Sequence, residues 1–387
     1  MQNVYLDNNA TSMVAPEVVE AMLPFFREHW GNPSSMHAFG GRVREHVENA
    51  RAQVAALIKA DPSEIVFTGC GTESDNTAIR GTLEASGVRR SVITSRVEHP
   101  AVLGPCRDLR DRGYNLIELS VDHLGQIDLA ELQEALRRGP CLASIMWANN
   151  ETGVVFPMAE IARMVKAADG IIHTDAVQAG GKLIIDVQRV PVDLLALSGH
   201  KLHAPKGIGV LYVRKGTRMK PLLLGGHQED SRRAGTENVP YIVGLGRAAE
   251  LAARHMADSG RIAKLRDKLQ AGLLATCPDT QINGDTQNRL ANTLNVSFQY
   301  IEGEAILYSL SDLGIAASSG SACSSGSLEP SHVLRAMGIP FTAVHGSIRF
   351  SLSRFTTEAE IDRVLAQMPG VVTRLRAMSP FVQHAGR

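Results

Sequence analysis

Lys201 stands in LSGHKLHAPKG, residues 197–207, with His200 and His203 beside it. Apolar runs at 193–197 and 208–213 flank the segment, so the spacing predicts two strands with a polar, glycine-punctuated loop between them. A lysine held among small residues where two strands meet is a candidate amine nucleophile. The alternative is a solvated surface lysine. The turn Gly69-Cys70-Gly71-Thr72 follows another apolar run and opens a helical pattern. Glycine lets backbone approach a ligand, and a helix N-terminus offers N–H groups to an anion, so the turn outlines a phosphate cradle. A plain strand-to-helix turn has the same outline. Asp175 ends the run 171–175, where an aspartate needs a partner such as a protonated ring nitrogen, or caps a helix. His99 ends another strand and precedes Pro100; it could stack on a flat ligand, shuttle protons, or be structural. Together these residues ask for one cofactor with a phosphate, a flat ring with a basic nitrogen, and an aldehyde that an amine captures. Pyridoxal 5'-phosphate meets each demand.

Cys323 is the second centre. It lies in ASSGSACSSGSLEP, residues 317–330. A run of Ser, Gly and Ala cannot pack a core and predicts an exposed, mobile loop. A thiol displayed there is placed to react, whereas structural cysteines are usually buried. Cys70, Cys106, Cys141 and Cys277 lie on or beside regular elements and are expected to be packing residues. Arg354, after the strand SIRFSLS, could fork onto a substrate carboxylate, and Asn32 in WGNPSS could add a hydrogen bond.

The elements that position these residues alternate. Strands are expected at 64–68, 91–95, 115–121, 142–147, 171–175, 193–197 and 208–213, with helices at 16–29, 43–58, 72–83, 128–138 and 158–168. This is an α/β pattern with a mainly parallel sheet. In such sheets ligands bind beyond the carboxyl ends of strands, and Gly71, His99, Asn150, Asp175 and Lys201 all fall at or just after such ends. From residue 239 the texture changes. Two long helical segments run to about residue 275. Strands at 293–299 and 347–353 and helices at 302–313 and 357–375 then suggest a smaller α+β unit. The expected division is a large domain over 15–255 and a small one built from 1–14 and 256–387, carrying the loop 317–330.

Composition narrows the function. At 387 residues the chain has room for two domains. Lys plus Arg and Asp plus Glu are both 40, so a general polyanion binder, and with it nucleic acid, is not expected. No run reaches the ~18 apolar residues of a membrane span, and no secretory signal is evident. The five scattered cysteines suit a reducing cytoplasm and give no close pairs for a metal site. His200 and His203 have no third ligand nearby, so no metal is expected.

YLDNNAT, GNPSS, TES at 72–74, EHPAV, NNETG, HTDAVQ, SGHK with PKG, RAGTEN and SSGSACSSGSLEPSHVLRA together resemble the group I cysteine desulfurases of the class V aminotransferase family. WANNETG, GCGTES and the short C-terminus resemble the nitrogen-fixation type more than the housekeeping type. The motifs occur in family order over essentially the whole chain. Ala204 stands where the family often has glycine, and the longer tail of the housekeeping type is not seen.

The resemblance implies a fold-type I, pyridoxal-phosphate-dependent transferase with a seven-stranded sheet in its large domain, working as a homodimer. It implies that Lys201 holds the cofactor, Asp175 pairs with the ring nitrogen, Gln178 bonds the ring hydroxyl and His99 stacks on the ring. Gly71, Thr72, Ser198 and His200 would hold the phosphate, with Thr236 reaching in from the other subunit. Asn150 and Arg354, with Asn32, would meet L-cysteine. Cys323 would take the sulfur as a persulfide and release alanine. The sulfur would pass to an iron–sulfur scaffold protein, for nitrogenase maturation. The alternatives are a housekeeping cysteine desulfurase or a selenocysteine lyase. A nicotinamide dehydrogenase, or a sulfur carrier using the loop cysteine alone, leaves Lys201 and Asp175 without shared purpose.

Overall fold

Strand β1 (Val4–Tyr5) precedes seven strands that form one sheet. These are β2 (Ile65–Thr68), β3 (Ser91–Ser95), β4 (Asn115–Leu119), β5 (Leu142–Ser144), β6 (Ile171–Asp175), β7 (Leu194–Ser198) and β8 (Gly209–Val213). The computed structural model describes residues 3–87, 90–319 and 330–380. The order across the sheet is β2-β8-β7-β6-β5-β3-β4. Only β8 runs against its neighbours; the other pairings are parallel. Each of the seven apolar runs read from the sequence holds one of these strands; those expected at 115–121 and 142–147 end sooner, at Leu119 and Ser144. Every residue of β2, β7 and β8 is buried, as expected of strands covered on both faces. Leu195, fully buried in β7, illustrates what holds the sheet: truncation to Ala would cost about 2–5 kcal/mol.

Helices follow the strands closely. The helix Gly71–Ser86 starts three residues after β2, with extended Cys70 as its N-cap. The helix Pro100–Asp111 has Pro at its first position, and the His99 side chain accepts from Ala101 N at 3.1 Å. One expectation is corrected. The helix expected over 16–29 is two helices, Pro16–Met22 and Pro24–Arg27. Pro24 has no N–H to continue the first helix and instead opens the second.

The C-terminal part has its own sheet, β9 (Thr280–Ile282), β10 (Thr293–Phe298) and β12 (Ser347–Ser351), in the order β12-β10-β9 and antiparallel. Strand β11 (Ile315–Ala316) pairs in parallel with β1. The helices Ser259–Thr276 and Glu358–Met378 pack on one another and on this sheet's core, with Leu269, Val296, Phe350, Ile361 and Val364 fully buried. A short turn of 3-10 helix, Met256–Asp258, separates Val239–His255 from Ser259–Thr276. The larger core includes Leu290, Val333, Leu334, Met337 and Val344 as well as residues from 15 to 251. No helix among the described residues is long and apolar enough to cross a membrane.

Candidate active site

The carboxyl ends of the sheet's strands open into a cavity of about 350 Å³. Gly71, Thr72, His99, Asn150, Asp175, Gln178, Ser198, His200 and Lys201 all line it. The sheet brings them together from the stretch 71–201 by register. Asp175 at the end of β6 pairs with Ala196 on β7, and Ser198 at the end of β7 pairs with Gly209 on β8. Ser198 thereby opens the short turn Gly199–Lys201, and His200 lies within it.

Lys201 Nζ donates to Ala10 O at 2.6 Å and to Asn9 O. Both acceptors lie in YLDNNAT, near the other end of the sequence. Asp175 Oδ1 accepts from Val177 N at 2.9 Å. Burial raises the Asp175 carboxyl, and His99 and Lys201 oppose the rise. A cation against Asp175 would restore its charge, as a protonated ring nitrogen does. Burial lowers the pKa of the His99 imidazole despite the pull of Asp175, which favours a neutral ring. Its Nδ1 accepts a hydrogen bond, so the proton of the neutral ring sits on Nε2. His200, also lowered by burial to about 4, has Nδ1 3.1 Å from Thr11 Oγ1.

Gly71 leaves space that a side chain would fill. A Cβ there would stand 3.0 Å from Val177 Cγ2 and 3.3 Å from Ser198 Cβ. This is the start of the helix Gly71–Ser86, whose first turn has N–H groups without helical acceptors. The glycine, the helix end and the Ser198 and His200 side chains line one wall of the cavity, an arrangement that could hold an anion such as phosphate. At the other wall, Asn149 Oδ1 accepts from Glu151 N, Thr152 N and Thr152 Oγ1, fixing the turn that carries Asn150.

Three expected residues do not line this cavity. Arg354 lines a separate chamber, its guanidinium 4.6 Å over the Phe355 ring. Asn32 is exposed, and its Oδ1 accepts from Ser34 N at 2.9 Å. Thr236 is exposed beside Arg233 and Gly235. Cys323 lies outside the described residues. The Cys70 reading is corrected: Cys70 is exposed and lines the cavity, because as N-cap its thiol points to the helix start, where Sγ accepts from Glu73 N. Cys106, Cys141 and Cys277 are buried as packing residues.

Sequence reasoning missed Arg349. It lines the cavity from the middle of β12, with Nη1 donating to Asn150 O at 3.0 Å and Nη2 to Asp7 Oδ1 at 2.9 Å. Its Nε has no hydrogen-bond partner among the described residues. Its backbone pairs with Ser318 on both sides, N to O at 2.7 Å and O to N at 3.2 Å. On the far side of 320–329, Ser331 Oγ donates to Glu151 Oε2 at 2.5 Å. Asp75 was missed as well. It is buried at the cavity floor, 3.5 Å from His173 Nε2, and burial with Asp175 nearby raises its carboxyl well above the usual range.

The class-V aminotransferase family model matches residues 4–364. The chain belongs to the class-V aminotransferase family. Among its relatives in that family, a cysteine desulfurase of Trichormus azollae is 60% identical over 382 residues, 98% of this chain and 96% of the relative. The cysteine desulfurase NifS of Azotobacter vinelandii is 56% identical over 383 residues, 98% of this chain and 95% of that one. A solved structure titled NifS-like protein superposes with a TM-score of 0.91 at 38% identity, covering 97% of this chain and all of that one. These likenesses place this class-V aminotransferase among the cysteine desulfurases of the family, with their α/β fold.

Proposed function

We propose that the chain is a pyridoxal-phosphate-dependent cysteine desulfurase that converts L-cysteine to L-alanine and leaves a persulfide on Cys323. The observation that carries the reading is the joining of Lys201, Asp175, His99 and the Gly71 cradle in one cavity of about 350 Å³. The residues fit the cofactor. Gly71, Thr72, Ser198 and His200 would hold its phosphate, Asp175 would pair with the ring nitrogen, Gln178 with the ring hydroxyl, and His99 would stack on the ring. When bound, pyridoxal phosphate supplies an aldehyde for the Lys201 amine and a ring that draws electrons from the substrate's α-carbon.

Lys201, its amine placed by the Asn9 and Ala10 carbonyls, takes the proton from that α-carbon as general base. Arg349 receives the substrate carboxylate as a planar fork, with Asn150 next to it. The Cys323 thiolate attacks the substrate sulfur. The new S–S bond forms as the substrate's Cβ–S bond breaks, and its electron pair and a proton end on Cβ to give alanine. The expectation that Arg354 and Asn32 touch substrate gains no support from their positions in the single chain.

Thr236 serves the cradle of a second copy in a homodimer. Its exposure supports this, as does the exposed apolar segment Leu222, Leu223 and Leu224 just before it. The division into a domain over 15–255 and one over 1–14 with 256–387 is supported by the helix break at Met256–Asp258, while Leu290, Val333, Leu334, Met337 and Val344 reach back into the larger core. We assign the enzyme to the cytoplasm, and the persulfide to an iron–sulfur scaffold protein in nitrogenase maturation. The NifS relative at 56% identity supports that role.

The deciding experiment uses the purified holoenzyme with L-cysteine. Cys323→Ala is expected to retain the cofactor's absorbance and release no alanine. Lys201→Ala is expected to lose the borohydride-reducible linkage. Normal alanine release by Cys323→Ala overturns the persulfide route.

A further inference from the structure

The turn after β6 reads Ala176-Val177-Gln178-Ala179-Gly180-Gly181-Lys182. Two glycines let it pack closely. A Cβ on Gly180 would stand 2.6 Å from Leu197 Cδ2, one on Gly181 2.6 Å from Leu202 Cδ2, and Gly181 has φ +67°. The chain therefore doubles back, and Lys182 Nζ donates to Gln178 Oε1 at 2.8 Å. That bond decides how the amide points. Its oxygen is taken by a donor, so the Nε2 edge is the one left toward the cavity. One Nε2 hydrogen goes to Asn9 O at 3.0 Å. Lys201 Nζ donates to the same carbonyl. Gln178 and Lys201 are neighbours across one acceptor. In pyridoxal the ring hydroxyl is on the carbon next to the one bearing the aldehyde. With the phosphate arm, on that carbon's other side, held at the Gly71 cradle, a ring joined to Lys201 would have its oxygen on the Gln178 side.

Lys182 itself does not line the cofactor cavity. It lines the second chamber, of about 90 Å³, with Lys201, His203, His255 and Arg354. Burial, then the charges of Lys201 and Arg349, lower its ammonium to about 7. No step of the proposed reaction uses it.

We propose that Lys182 is a positioning residue: by holding the Gln178 amide oxygen, it keeps a Gln178 N–H aimed at the ring oxygen of pyridoxal phosphate joined to Lys201. The inference rests on the cofactor assignment above. A donor there stabilises the ring oxygen as an anion, so the Lys201-linked cofactor gives up its proton at lower pH.

The test is a spectroscopic pH titration of the holoenzyme, with equilibrium binding of pyridoxal phosphate to the apoprotein beside it. Lys182→Met keeps the apolar stem and removes the donor. The midpoint of the cofactor's absorbance change is expected to rise by about one pH unit, with weaker cofactor binding. Lys182→Arg, which keeps a donor, is expected to restore most of the wild-type midpoint. In a Gln178→Leu background, Lys182→Met is expected to add no further shift. A wild-type midpoint in Lys182→Met overturns the inference, even if that variant is less heat-stable. So does a shift that persists undiminished in the Gln178→Leu background, because Lys182 would then act by its charge alone. A wild-type protein with no cofactor absorbance overturns the assignment and this inference together; an unshifted midpoint in a yellow protein overturns the inference alone.

Discussion

Arg349 Nη2 meets Asp7 Oδ1 at 2.9 Å at the edge of the cavity that holds Lys201. A guanidinium already paired with one carboxylate has the shape and charge to receive another. Arg349→Gln is expected to raise KM for L-cysteine about 100-fold, as loss of two charge-assisted hydrogen bonds would, with a smaller change in kcat. Arg354→Ala is expected to move KM by less than about threefold, since its side chain lines the other chamber. Steady-state kinetics on both variants checks the pair. A larger KM effect at Arg354 would return the carboxylate to it.

Gly71 carries the second prediction. Gly71→Val sets a branched side chain against Val177 and Ser198, and the cradle has to open to admit it. Pyridoxal phosphate affinity is expected to fall at least about tenfold, while Gly71→Ala, with one Cβ in tight contact, falls less. Fluorescence titration of the apoproteins measures both. Equal affinities across the three proteins would remove the phosphate from this helix end.

Glu98 gives a pH dependence. It is fully buried, and burial pushes its carboxyl up to about 8 against hydrogen bonds from Met146 N and Ser95 Oγ. Its folded value lies above the unfolded one, so the folded protein binds the extra proton. Its contribution is complete below about pH 4.5 and is lost as pH rises through about 8. Glu98→Gln is expected to match wild type in Tm near pH 5 and exceed it by on the order of 5 °C at pH 8. His173, lowered by burial to about 3, acts with the opposite slope. Its contribution is present above the ordinary histidine range and is lost as pH falls through about 3. Thermal melts from pH 5 to pH 8 isolate the Glu98 arm; a constant gap between the two proteins would refute it.

Cys70 and Cys323 should separate cleanly. Cys70 lines the cavity, so alkylation of apoprotein is expected to modify it while Cys106 and Cys277 stay unreacted, and bound pyridoxal phosphate is expected to slow that labelling. Cys70→Ala is expected to keep turnover within about threefold of wild type. Peptide mapping by mass spectrometry reads the labelling. Labelling of Cys70 at the same rate with and without cofactor would contradict the cavity's geometry.

What was legible in the residues follows from strand periodicity. Gly71, His99, Asn150, Asp175 and Lys201 could be found because an α/β sheet delivers ligand-binding residues at its strand ends, and apolar runs mark those ends. Arg349 was harder because it lies inside a strand. Its signal was alternation: Ile348 and Phe350 face the core, while Ser347, Arg349 and Ser351 form the polar face. A charged residue in a buried strand needs partners there, and these are Asp7 and Asn150, both distant in sequence. Lys182 was illegible for another reason. Its contact with Gln178 depends on two glycines in a turn, not on a repeating pattern. The same holds for Cys70, whose exposure depends on which way a helix cap turns.

The first dozen residues close the site. Asn8 donates to Ser351 O, Ser351 N to Leu6 O at 2.7 Å, and Asn9 and Ala10 supply the carbonyls that hold Lys201. Asn8 and Ser351 are 343 positions apart. The segment that carries those carbonyls is gripped from two sides: Ser351 holds Asn8 and Asn9, while Ser12 N donates to His200 O and Gln178 Nε2 to Asn9 O. Lys201 gains its aim only where this segment, its own turn and β12 meet, so the parallel sheet can assemble before the amine is set for chemistry.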